Sequence, residues 1–483
     1  MKELIRFTKN IGYIGIAYSL VSFSGIILLP ILTKTLPIVE YGIWIQTVVI
    51  IGLIPVAANL GLPYALIRFS ASANDKEIIQ EHFYSIACVI LLTSAFVSSL
   101  FFIFSEPISS ALFNNNIFIV QLISIILFFE CLNAFFIDFF RTFQLIGQYI
   151  FFSVLRVTIL FIFIYIFIIS GYGIVGAVVG LLLTSLVVFV SQLAVIVYKV
   201  GIKIPKFLYI KEHLKFGVPI IPGGLSYWIM NSSDRILIGF FLGESYVGYY
   251  APGYMIGWSA ITIFTAPLSM LLPSVLSKCY DENNLNAVTT ILKYSFKYFL
   301  LFAIPIFFGI SLLSKSILLI LTTPDIASQG YLIIPFVALS SILNGCYVVI
   351  AQILVLKKNT KIQGLIFIFI AIVNFGLNLF FIPYFGILGA AITTLIAFFL
   401  VFILISYYSF KDLMFNLDPY FVIKSVIASI CMSLLILGWH PEGIIQVGTS
   451  IFICFGLYIG VLVLVGGFKK EEVVFLKSIL GIK

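Results

Sequence analysis

Ionisable and amide side chains interrupt runs that are otherwise apolar. Glu130, Asn133 and Asp138 lie in or beside one such run with Arg141 just after them, and Arg156 sits inside the next. Further on, "IMNSSDRILIGF" carries Asn231, Asp234 and Arg235, and Arg68 closes an earlier run. A guanidinium stays charged and presents a planar fork that fits phosphate or carboxylate. A neighbouring carboxylate can hold that fork in place, or can couple its state to an ion. Such groups inside apolar runs are costly unless they face a cavity or one another, so they are static ion pairs or face a transported substrate, with H+, Na+ or the membrane potential as the possible coupling. They do not form a catalytic set. No Walker motif or converging Ser/His/Asp group is present, and the three histidines, His82, His213 and His440, fall in or beside loops. The six cysteines contain no CxxC pair and read as small hydrophobes. No enzyme activity, metal or cofactor is expected.

Positioning such groups requires elements stable in hydrocarbon. The chain has 483 residues, 62% of them hydrophobic and only 10% charged. That leaves too little polar surface to cover a water-facing globule, and it excludes soluble enzymes and nucleic-acid binders. Runs such as "LFIFIYIFII" are apolar on every face, which excludes transmembrane strands. Breaking the runs at charged, Pro, Gly and Asn clusters gives fourteen candidate spanning helices, about 20 residues each. They fall at 10–32, 43–66, 83–104, 117–140, 149–170, 173–198, 216–242, 246–273, 294–314, 329–356, 362–382, 386–409, 420–439 and 445–466. The first is read as retained rather than as a cleaved signal. The predicted fold class is an all-α integral membrane protein.

On the fourth span, 100° per residue puts Arg141 about 20° from Glu130, Asn133 about 60° to one side and Asp138 about 80° to the other. The result is one polar stripe. The fifth span runs antiparallel, so Glu130 and Arg156 lie at similar depth and Asp138 about 7 Å shallower. Either carboxylate could neutralise Arg156, as a static staple or as part of a cargo-facing group. Prolines mark candidate hinges: Pro55 and Pro63 in the second span, Pro219 and Pro222 in the seventh, Pro267 and Pro273 in the eighth. The seventh also holds Gly217, Gly223 and Gly224, so its inner half is predicted to be bent or unwound.

Placing the N-terminus inside puts twenty-two of the 27 Lys and Arg at cytoplasmic ends and loops, and only Lys34 and Lys315 outside. Both termini are therefore expected in the cytoplasm. The chain also repeats. "GYGIVGAVVGLLLTSLVVF" from Gly171 matches "YFGILGAAITTLIAFFLVF" from Tyr384, and "LPIVEYGIW" near Leu36 matches "LGESYVGYY" near Leu242. Leu62-Pro63 with Leu272-Pro273, and "SEPISSALF" with "SKSILLILT", continue the order. Each pair joins span n to span n+6, which predicts two six-helix lobes related by an axis along the membrane normal. The divisions are 1–198 and 216–410 for the lobes, with a basic linker at 199–215 that lies on lipid or serves as an ordinary loop. Two further spans occupy 411–466, followed by an amphipathic tail at 467–483.

The stretch "VPIIPGGLSYWIMNSSDRILIGFFLGESYVGYYAPGYMIGW" resembles the Wzx-type polysaccharide flippases of O-antigen and capsule repeat units. These belong to the multidrug, oligosaccharidyl-lipid and polysaccharide exporter superfamily, whose fold is MATE-like. "LPILTKTLPIVEYGIW", "NLGLPYALIRF" and "YFGILGAAI" extend the resemblance over nearly the whole chain. It implies a polyprenyl-pyrophosphate-linked oligosaccharide as cargo, moved between leaflets by alternating access in the cell's cytoplasmic membrane. It also implies function as a monomer, with contact to polysaccharide-assembly proteins. On that basis Arg68, Arg156 and Arg235, then Arg141, are the pyrophosphate candidates. Glu130, Asp138, Asp234 and Asn231 would hold them or couple to ions. A cation or drug antiporter of the MATE type, and a membrane polysaccharide polymerase or ligase, are the alternatives.

Overall fold

A computed structural model of the chain describes residues 24–70 and 75–468. Most of the first expected span and the tail from residue 469 lie outside them. The described residues form helices and no strands. In order these are α1 (Ser24–Thr35), α2 (Ile38–Ala58), α3 (Leu62–Ser70), α4 (Lys76–Ile103), α5 (Ser105–Leu112) and α6 (Ile117–Thr142). There follow α7 (Ile146–Ile169), α8 (Gly173–Val200), α9 (Ile210–Gly217), α10 (Ile221–Leu242), α11 (Glu244–Asp281) and α12 (Leu285–Leu312). The remainder are α13 (Ser314–Leu321), α14 (Pro324–Gly330), α15 (Ile333–Ile350), α16 (Gln352–Leu356), α17 (Thr360–Asp412), α18 (Pro419–Trp439) and α19 (Gly443–Leu464).

Among the described residues, 11 helices are long and apolar enough to span a membrane, against the fourteen expected. Three segments account for the difference. The first span is described only as Ser24–Thr35. The seventh corresponds to α10, whose Asp234, Arg235, Asn231 and glycines lower its hydropathy. The eleventh and twelfth run together in α17, which is 53 residues long and turns at Gly386 with φ of 61°.

Several helices begin on a side-chain cap. Asp75 accepts from the Glu77 N–H at 2.9 Å, Asn116 from Ile119 at 3.2 Å, Asn284 from Ala287 at 3.0 Å and Asp418 from Phe421 at 3.1 Å. Each satisfies an N–H group that the helix itself leaves free.

By packing, the chain divides into two compact units, residues 1–251 with 367–393, and 252–366 with 394–483. This partition differs from the lobes read from the repeat, because α10 and the start of α11 pack with the first unit. In that unit α6 contacts α4, α8 and α2, while α7 packs on α8 and α10 on α2. Its core is rich in phenylalanine, including Phe83, Phe135, Phe136, Phe139, Phe140 and Phe152. In the second unit α12 packs on α15 and α18, and α18 on α19.

The repeat has physical consequences inside the first unit. Gly173 and Gly386 are matched in sequence and both adopt left-handed φ, 55° and 61°, a conformation that glycine takes without steric penalty. Their matched neighbours Gly176 and Gly389 abut the preceding helical segment. A Cβ on Gly176 would lie 2.9 Å from the Phe167 Cβ, and one on Gly389 would lie 2.3 Å from the Phe381 carbonyl oxygen. The other matched pair meets reciprocally: Gly42 lies against the backbone of Glu244, and Gly248 against Ile38. Contacts of the form i to j and j to i are what a two-fold relation between two copies produces.

The second expected span is not one continuous helix. α2 ends at Ala58 and α3 starts at Leu62, with Leu60 and Gly61 at positive φ between them. Pro55 lies in the last turn of α2, and Pro63 sits in the first turn of α3, where its missing N–H costs nothing. Pro219 falls in a 3-10 turn over Val218–Ile220, and Pro222 at the start of α10, so the predicted irregularity of the seventh span is a junction ahead of its helix. Pro267 and Pro273 lie within the continuous α11.

The linker is held by α4. The buried Glu81 carboxylate accepts from the backbone N–H groups of Lys206 and Leu208 at 3.0 and 3.1 Å. Gln80 and Tyr84 donate to the carbonyls of Val200 and Gly201 at 2.6 and 2.5 Å. His82 and His213, read in the sequence as loop-side residues, are buried together with ring nitrogens 2.8 Å apart.

Candidate functional site: a charged cavity in the first unit

The polar stripe of α6 is enclosed by neighbouring helices at Glu130 and Asn133 and becomes exposed towards Arg141. Glu130 and Asn133 are buried, and the Asn133 amide donates to the Ser185 carbonyl of α8 at 2.9 Å. Asn59, at the break after α2, donates to the Cys131 carbonyl at 3.0 Å, tying that break to α6. Glu130 is the partner of Arg156: Oε2 lies 2.8 Å from Nη2, with 6% of the glutamate side chain and 40% of the arginine side chain exposed. The Ser185 hydroxyl lies 2.5 Å from the other carboxylate oxygen. Asp138 pairs instead with Arg141 at 3.1 Å, one turn along the same helix, and about half of the Arg141 side chain is exposed.

These groups open on a cavity of about 500 Å³ within the first unit. Glu130, Asp138 and Arg156 supply its charge, Asn59 adds an amide, and Pro55 and Pro63 form part of its wall. At the α2 break Asn59 closes the helix, and Leu60 and Gly61, both at positive φ, separate it from α3, so that Asn59, Gly61 and Pro63 all reach the cavity wall. With Glu130 occupying one edge of the guanidinium, the other N–H groups of Arg156 have no protein acceptor among the described residues. A guanidinium held on one edge by its counter-ion can take a phosphate or carboxylate on the other.

Arg235 is placed differently. Its side chain is 11% exposed, and Nη1 lies 3.2 Å from Asp234 and 2.5 Å from the Asn231 carbonyl. Asp234 is 2% exposed and also accepts from the Tyr250 hydroxyl, while the Gln46 amide donates to the Arg235 carbonyl at 2.8 Å. The guanidinium carbon lies 5.9 Å from the Tyr250 ring centre. This cluster cross-links α2, α10 and the start of α11, and it does not line the cavity. Arg68 lies on the exposed side of α3, also outside the cavity wall.

Sequence reasoning did not identify the partners Ser185, Gln46 and Tyr250, nor a buried network on α17. There Asn374 donates to the Thr393 carbonyl at 3.2 Å, Asn378 to Asn374 at 3.3 Å, and the Thr393 hydroxyl to Asn378. Amides deep in an apolar helix were the available signal, since such groups require partners.

Helices long and apolar enough to cross a membrane, 11 of them among the described residues, define a multi-pass membrane protein, and a charged cavity lies between helices of its first unit. The chain belongs to the polysaccharide biosynthesis protein family, whose model matches residues 7–280, and a MatE model matches residues 219–381. Among its relatives is the probable low-salt glycan biosynthesis flippase Agl15 of Haloferax volcanii, 26% identical over 254 residues and 52% of each chain. Another is the probable flippase AglR of the same organism, 34% identical over 169 residues and 34% of each chain. Over these matches the chain spans about half the length of Agl15 and a third of AglR. The lipid II flippase MurJ in an inward closed conformation superposes with a TM-score of 0.77 at 19% identity, covering 92% of this chain and 97% of that one. The fold is therefore the one that MurJ has.

Proposed function

We propose that this protein is a flippase that carries a polyprenyl-pyrophosphate-linked oligosaccharide from the cytoplasmic to the outer leaflet by alternating access, for assembly of a surface polysaccharide such as an O-antigen. The observation that carries the reading is Arg156, held by Glu130 and turned towards a cavity at membrane depth. A pyrophosphate crossing hydrocarbon loses its hydration and needs cationic donors in exchange. The family and the flippase relatives support the cargo class, and Asp234 with Asn231 is the candidate for coupling to H+, Na+ or the membrane potential. The breaks around Pro55, Pro63, Pro219 and Pro222, with Pro267 and Pro273 in α11, are the candidate hinges. In this account the chain acts as a monomer in the cytoplasmic membrane, with both termini inside and polysaccharide-assembly proteins as neighbours.

The test is complementation of a strain that lacks its own repeat-unit flippase. Arg156→Ala is expected to abolish surface polymer at normal protein level, with partial recovery in Arg156→Lys. Normal polymer in the alanine variant would reject the reading. The MatE match favours drug antiport as a second reading. Antiport of cations needs a free carboxylate in the cavity, whereas Glu130 and Asp138 each hold an arginine. Expression is therefore expected to leave cationic-drug accumulation unchanged.

A further inference from the structure

The second unit has a basic cleft unrelated to the cavity above. α18 starts at Pro419 and α19 ends at Leu464, so the start of one and the end of the other mark one membrane interface. α12 passes this level with Lys293 and Lys297. Two chambers meet here. The inner, about 290 Å³, is walled by Phe296, Leu300, Val422 and Ile423, and the outer, about 670 Å³, by Asn416, Tyr420, Lys424 and Gly466. Lys293, Asp418 and Phe421 line both.

Lysines outnumber carboxylates in the lining of both chambers. Lys297 is 3% exposed, with its ammonium 4.7 Å from the Phe421 ring centre. Lys424 reaches the Gly466 carbonyl at 2.8 Å. Among the described residues neither Lys293 nor Lys424 lies within ion-pair distance of a carboxylate. Asp418 is engaged as the cap of α18, where the helix dipole also holds its charge. Lys293 and Lys424 thus line a polar mouth, and Lys297 lines the apolar slot into which it leads. A free phosphate would use only the mouth. A molecule with an anionic head and an acyl chain would use both, and basic pockets between helices at a cytoplasmic interface have this selectivity.

We propose that this cleft binds an anionic glycerophospholipid of the inner leaflet, with its phosphate among Lys293, Lys297 and Lys424 and the first part of an acyl chain in the slot beside Phe296 and Leu300. The test is native mass spectrometry of the full chain in detergent, with phosphatidylglycerol and phosphatidylcholine of identical chains. Occupancy by phosphatidylglycerol is expected to exceed that by phosphatidylcholine about thirtyfold, since two lysines near a headgroup contribute roughly that ratio. The ratio is expected to fall towards one in Lys293→Gln/Lys424→Gln, with an unchanged thermal midpoint. Lys297→Met provides a second route to the same loss should the double variant fold poorly. Equal occupancy in the unaltered chain, or an undiminished preference in both variants, would overturn the proposal. Millimolar pyrophosphate should not displace the bound lipid; displacement would mean that phosphate chemistry alone fills the cleft. Displacement by an equimolar polyprenyl pyrophosphate would give the cleft to the cargo and equally overturn the assignment.

Discussion

Arg156 and Arg235 both lie inside helices of the first unit, and both have a carboxylate within about one hydrogen bond, yet their surroundings differ. Arg156 keeps 40% of its side chain exposed on a cavity, with only one edge engaged. Arg235 is enclosed by Asp234, the Asn231 carbonyl and Tyr250, with 11% exposed. An ion pair alone therefore does not identify a binding group. What distinguishes the two is whether donors remain free and whether they face a void.

The largest expected effect separates the two in transport. Arg156→Ala removes two charge-assisted hydrogen bonds to a phosphate, and should lower flipping of a lipid-linked oligosaccharide in proteoliposomes by about 100-fold or more. Its thermal midpoint should stay near that of the unaltered chain, because Glu130 can be rehydrated from the cavity. A large loss of midpoint would place Arg156 in the same class as Arg235.

The second effect is on stability, and it runs the other way. Asp234→Ala leaves a buried guanidinium without its counter-ion, a change that costs about 3–5 kcal/mol in comparable sites. Unfolding in detergent should show that loss, and Asp234→Ala/Arg235→Met should restore most of it. If the single variant is as stable as the unaltered chain, Asp234 is not the counter-ion that holds Arg235 in place.

A third prediction takes the contrast between enclosed and open groups to the linker. Burial, and then His82, push the His213 imidazole down to about 4 from its ordinary 6.5. The unfolded chain therefore binds a proton that the folded chain refuses between those values, and stability is lost as pH falls through that window. The thermal midpoint should decline from pH 7 towards pH 4.5, and His213→Gln should flatten the decline. An identical slope in the variant would contradict this.

The smallest effect belongs to Arg141. Its pair with Asp138 is half exposed and one helical turn long, a class worth about 0.5 kcal/mol. Arg141→Ala should leave stability within that margin, and should reduce transport far less than Arg156→Ala. Equal transport losses would spread the receptor along the whole stripe.

Much of this was legible before any coordinates. Helical periodicity put Glu130 and Asn133 on one face of α6, and counting residues from the shared loop put Arg156 opposite Glu130. The repeat matched Gly173 with Gly386, and the two share a left-handed φ that the sequence pattern had not announced. Other features depend on which helix lies beside which, and local pattern does not encode that. Tyr250 on Asp234, Gln46 on the Arg235 backbone and Ser185 on Glu130 join residues 16, 189 and 55 positions apart. The break between α2 and α3 was hidden because Asn59, Leu60 and Gly61 look like a tolerable interruption of an apolar run. Lys297 was counted among the residues of a cytoplasmic helix end, yet it is buried, since Phe421 provides a surface that its ammonium can rest on.

The most direct test of the central claim is the reactivity of a thiol placed at the receptor. In a background with the six native cysteines replaced, Ala134→Cys, on the same cavity wall as Arg156, should react rapidly with a water-soluble thiosulfonate. A polyprenyl pyrophosphate should slow that reaction, and the protection should disappear when Arg156→Ala is added. Arg235→Cys should remain unreactive under the same conditions. An inert thiol at position 134, or protection that is absent with Arg156 present or undiminished without it, would contradict the account.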